Sequence, residues 1–246
     1  DVTVMGDSNT DSGGMAAITS DSSNIINAGG NVDVTGSSSG VYAGSYAQST
    51  INAGGNVNVT VEGRGGSGAA LGVSSSDHAN NSIKTGSGHV NVTATGSTSN
   101  TATAMSAISY ADAVISTKTG NVTLTSSDYG MSSATSGHNT ITTDSGKVNI
   151  AADSVLDGYG MYATTSGRND IITAGSDVTV TASGSNSSQG MATESGSNSI
   201  TTSATGNVTV TADGSGTAYG IRSSGAGGNA IKTQDGNVHV AGGELG

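Results

Sequence analysis

Few side chains in this sequence are equipped for chemistry. Asp7, Asn9 and Asp11 follow the D-x-N-x-D spacing of oxygen-ligand calcium loops. Gly13 arrives one residue late and no Glu closes the loop, so a polar turn is the better account. Glycan-cleaving sites need paired carboxylates, or a carboxylate beside Arg or Lys, in one groove. The acidic candidates are Asp128, Asp144, Asp153, Asp157 and Asp177, scattered at different offsets in the turns. Arg64, Arg168 and Arg222 are equally dispersed, as are His78, His89, His138 and His239. The expectation is therefore no catalytic residue, no bound metal and no cofactor. Tyr129, Tyr159 and Tyr219 share a local context at intervals of 30 and 60, with Gln189 at the missing step. They are expected to cover the edge of a core near a corner, with a sugar-facing stack as the alternative. Thr-x-Thr pairs (Thr123/Thr125, Thr179/Thr181, Thr209/Thr211) invite an ice-binding reading. Asp33, Asn58, Asn149 and His239 interrupt that column, so ordinary strand threonine is preferred.

What positions these residues is a repeat. Asn-Val-x-Val-Thr or a close variant recurs with its first apolar residue at Val2, Val32, Val57, Val90, Val122, Val148, Val178, Val208 and Val238. The intervals run from 25 to 33 residues. A period of two within each segment predicts a strand with one buried face. A second segment carries a large residue after a small one: Met15, Val41, Leu71, Met105, Met131, Met161, Met191 and Ile221. The small residue is Gly14, Gly40, Ala70, Ala104, Gly130, Gly160, Gly190 or Gly220, which predicts a tight bend or close backbone approach. A third segment holds Ile in every unit, at Ile26, Ile51, Ile83, Ile115, Ile141, Ile171, Ile200 and Ile231. Two residues earlier stands Asn24, Asn81, Asn139, Asn169, Asn198 or Asn229, replaced by Ser49 and Ala113 in two units. That column predicts a ladder of stacked amides, at turns whose left-handed backbone Asn tolerates.

Three short strands cannot bury their inner faces alone, whereas stacked units can. The prediction is an all-β, right-handed parallel β-helix with three strands per coil, about 30 residues per coil and about eight coils. Residues 1–246 are read as one repeat domain. Because no capping element flanks the terminal Val segments, the reading extends to an excerpt of a longer chain or a subunit stacking head to tail.

Composition agrees. There are 40 Gly and no Pro, where average usage of ~5% would supply about 12. With no Cys, disulfide scaffolds and Cys-based zinc sites are excluded. A net charge of -11 argues against nucleic acid. No apolar run reaches the ~20 residues of a membrane span, so no membrane insertion of this segment is expected.

The Ala-Gly-Gly-Asn-Val elements (residues 28–32 and 53–57), Asn-Val-Thr-Val-Thr (residues 207–211) and the Tyr-Gly-Met/Ile elements resemble repeats of autotransporter passengers. They are also similar to filamentous-haemagglutinin-type adhesins of Gram-negative bacteria. The resemblance covers essentially the whole chain. It implies a secreted, surface-exposed β-helical stalk, commonly adhesive, whose receptor is a host or bacterial protein or glycan. A self-assembling extracellular fibre and a polysaccharide-active enzyme are the alternatives.

Overall fold

The structure is a computed structural model and describes residues 1–6, 13–17, 23–63, 70–96 and 101–244. The calcium-like segment from Asp7, Arg64 and most of the Gly/Ser-rich insertion at residues 63–68 fall outside them. The described chain forms three parallel sheets of nine, eight and eight strands. Strands of one sheet follow one another at every third position along the chain, so each sheet grows by one strand per coil. The result is a parallel β-solenoid. One complete coil runs through Val148–Asp153, Asp157–Ala163 and Arg168–Thr173, one strand in each sheet.

The register follows the sequence columns. Val122, Val148, Val178 and Val208 are consecutive partners in the first sheet. All eight isoleucines of the third segment form a single row, from Ile26 to Ile231. These rows face inward and constitute the main core, which is aliphatic and holds no tyrosine among the described residues. Each buried Val, Ile or Met contributes about 1.5–3 kcal/mol relative to exposure.

The second segment departs from expectation in one unit. Val73, not Leu71, pairs with Val41 and Met105 and is fully buried. Leu71 pairs with Ser39 and Thr103 on the half-buried side. The small residue before the core position is thus Gly72, not Ala70. The run Ala-Ala-Leu-Gly-Val offers two small–large steps two residues apart, and strand alternation keeps both on one parity. Only packing of the neighbouring coils separates them.

The small column reflects close approach. A Cβ on Gly160 would lie 2.3 Å from Val180 Cγ1 and 2.4 Å from the Gly190 carbonyl oxygen in the next coil. Gly14, Gly40, Gly72, Gly130, Gly190 and Gly220 likewise face a γ-carbon of Val or Ile. Ala104 is the exception in the column. By register its facing residue is Leu124, the one member of the Val/Ile row without a branch at Cβ. An unbranched Cβ vacates the space that a methyl at position 104 takes.

Two polar ladders tie the coils. Inside, Asn139 Nδ2 donates to Asn169 Oδ1, Asn169 to Asn198 and Asn198 to Asn229, each at 2.8 Å. The same amides donate to carbonyls of the second sheet one coil on, at Tyr162, Ala192 and Arg222. The ladder was expected at left-handed turns, but none of its asparagines has positive φ. Those conformations fall just before the third-sheet strands, at residues such as Tyr46, His78 and Tyr110. The asparagines begin or enter the strands themselves, where the amide spans coils.

Outside, the residue before each Val strand forms a second ladder. Its side chain accepts the backbone N–H of its counterpart one coil later: Asp1 from Asn31, Asn31 from Asn56, Asn56 from His89, and His89 Nδ1 from Asn121. Asn121, Asp177 and Asn207 continue the pattern. Lys147 cannot accept; it turns its ammonium to Asp177 at 3.1 Å instead. The recurrent Asn before Val is therefore a coil-to-coil clamp.

Candidate functional surfaces

The acidic residues weighed as catalytic are mostly engaged in coil-to-coil contacts. Asp128 accepts the Ala102 N–H at 2.7 Å and the Ser154 hydroxyl at 2.6 Å. Asp153 accepts the Ser183 hydroxyl. The Asn207 backbone N–H and the Lys147 ammonium hold the Asp177 carboxyl below the usual carboxylate range. Asp157 reaches Tyr129 through its charge, and Asp144 stands on the rim of a groove on the third sheet. Arg168 pairs with Asp170 at 3.4 Å and His138 lies 3.7 Å from Asp112. His89 serves the outer ladder, while His239 pairs with Thr209 on the outer face of the first sheet. Among the described residues no group of three His, Asp or Glu has the arrangement to hold a metal ion.

The tyrosines divide. Tyr129 and Tyr159 stack with centroids 5.1 Å apart and planes 3° from parallel. Tyr162 leans on both, at 5.9 Å and 4.8 Å. Since adjacent rings cover one another along the rod, the pair turns ring edges rather than open faces outward, which disfavours the alternative of a sugar-facing stack for that pair. Tyr219 stands apart beyond Gln189, with the Arg222 guanidinium carbon 4.9 Å from its ring centroid. Burial, then the charges of Tyr159, Asp128 and Asp157, push the Tyr129 phenol up to about 12. Burial and Glu194 push Tyr162 up to about 12 as well. Both folded values lie above the unfolded value of about 10, so the folded chain holds these protons more tightly. Their stabilisation is full below pH ~10 and is lost as pH rises towards ~12. Urea midpoints measured across that window should fall for the wild-type chain, and less steeply for Tyr129→Phe. An equal fall in both would show that the phenol makes no such contribution.

Sequence reading missed a second aromatic array. Tyr46, His78 and Tyr110 stack at 5.1 and 5.2 Å along the corner between the second and third sheets. All three adopt positive φ, at 58°, 62° and 59°. Such a backbone costs an L-residue roughly 1–2 kcal/mol, and aromatic contacts return about 0.5–1.5 kcal/mol. The array is exposed, with Tyr46 at 57% and Tyr110 at 59%. The signal was present as two intervals of 32 residues, one coil each, but His and Tyr do not register as one type.

The third sheet bears a groove of about 680 Å³ across five coils, where its outer face meets the turn to the first sheet. Asn27, Asn52, Lys84, Ser116 and Thr142 form one outward row along it. Lys118 stands on the adjoining turn. In comparisons with known proteins no family model, no curated protein and no solved structure matches the chain.

Proposed function

We propose that the chain is a non-enzymatic extracellular β-helical stalk or adhesin presenting a binding surface at a bacterial cell surface. One observation carries the reading: the polar side chains that could do chemistry mostly clamp coil to coil instead of converging on one point. Asp128 and Asp177 are the clearest cases. A continuous aliphatic core supports a stiff rod beneath a varied outer face. The resemblance of the repeats to autotransporter passengers and haemagglutinin-type adhesins supplies the location. Antibody labelling of intact Gram-negative cells producing the protein should detect it without permeabilisation. Labelling only after lysis would reject the surface assignment. Incubation with pectin or alginate should release no new chain ends; sustained release would restore the enzyme reading.

A further inference from the structure

The groove on the third sheet differs in charge from the rest of the molecule. The chain carries -11 overall, with only four lysines. Two of them, Lys84 and Lys118, line this groove, against one carboxylate, Asp144. Both lysines are exposed, and neither makes an ion pair among the described residues. By contrast, Lys147 is committed to Asp177.

The remaining wall is amide and hydroxyl. Asn52 Nδ2 donates to Asn27 Oδ1 at 2.8 Å, which keeps the two amides in line along the rod. Ser116 and Thr142 continue the row with hydroxyls. No aromatic ring lines the groove, so recognition there rests on hydrogen bonds and charge. The floor is a sheet face whose backbone groups are already paired between strands, so a peptide cannot add to it as a strand. Five rows at ~4.8 Å per coil make a track of about 19 Å between the first and last. Its period is close to that of a pyranose chain, and its two cations sit one coil apart.

We propose that this groove binds an anionic oligosaccharide along the rod axis, with Lys84 and Lys118 pairing its acidic groups and Asn27, Asn52, Ser116 and Thr142 its hydroxyls. The inference deepens the adhesin reading by naming the chemical class of its ligand. The two fail separately: groove binding is measured on purified protein, surface display on cells.

Calorimetric titration of the full chain with tetragalacturonate, a heparin-derived tetrasaccharide and cellotetraose tests the proposal. Either of the first two should bind, with affinity falling as salt is added; binding of the heparin fragment but not of the carboxylate-only galacturonate assigns sulfate as the acidic group. Cellotetraose should bind at least tenfold more weakly. Lys84→Met and Lys118→Met should each weaken binding about tenfold, the size expected for one charge-assisted contact. Lys232→Met, in the same outward row but outside the groove, should leave it unchanged. Exposed lysines are replaced throughout, so folding is retained and circular dichroism verifies it. Absence of binding to both anionic probes would overturn the proposal, as would equal binding of cellotetraose or wild-type affinity in a variant carrying both Lys84→Met and Lys118→Met.

Discussion

Gly160→Ala should destabilise the solenoid by about 3 kcal/mol, and Val180→Leu should recover a substantial part of that loss. The new methyl meets Val180 Cγ1 at 2.3 Å and the Gly190 oxygen at 2.4 Å, both far inside contact distance. Overpacking of this kind costs typically about 1–3 kcal/mol, and more where backbone must move. The neighbouring solution is already present in the molecule, where Ala104 is matched by Leu124. Replacing Val180 by Leu removes the branch at Cβ, and with it the methyl that the new Cβ meets, and leaves only the carbonyl contact. A double-mutant cycle by urea unfolding should therefore show a favourable coupling of about 1–2 kcal/mol. The converse exchange is equally informative: Leu124→Val should be harmful beside Ala104 and mild in the Ala104→Gly background. Strict additivity in either cycle would refute the steric account.

The inner amide ladder gives the second large effect, in both directions. Asn169→Ala removes the acceptor of Asn139, the donor to Asn198 and the bond to the Ala192 carbonyl, all buried. Unsatisfied buried groups cost about 1–3 kcal/mol each, so a loss of roughly 3 kcal/mol is expected after relaxation. Ala113→Asn should do the opposite. Ala113 stands in the ladder between Asn81 and Asn139. The Oδ1 atoms of Asn81 and Asn139, each preceded by a residue other than Asn, have no hydrogen-bond partner. An amide at 113 would donate to Asn139 Oδ1 and accept from Asn81 Nδ2, raising stability by about 2 kcal/mol. At roughly 2–4 °C per kcal/mol for a domain of this size, the thermal midpoint should rise by several degrees. An unchanged or lower midpoint would mean that the column cannot close at this coil.

Much of this architecture could be read from residue order because the solenoid repeats one decision. Whether Ile141 points inward is settled by the same neighbours that settle Ile115 and Ile171, so eight weak signals reinforce one another. The Leu71/Val73 ambiguity arose where that redundancy failed, inside a single apolar run whose two large residues share one sequence parity although only Val73 enters the core. The left-handed positions were misplaced for another reason. After Gly, Asn tolerates such a backbone best, yet Tyr46 and His78 occupy it, held by their stacking and the packed Ala47 and Ala79 that follow. Surface sites were the least legible. The groove exists because short side chains coincide at one height in consecutive coils while two long cations border them. Such a shape belongs to no motif; it emerges only when coils of unequal length are laid in register.

That register also governs how a gene for such a rod can change. Val148, Val178 and Val208 are separated by 30 residues and occupy equivalent places. Unequal crossover between their codons would delete or duplicate one whole turn and leave every remaining side chain on its original side. Reach can then be tuned in steps of one strand spacing, without inventing a new interior.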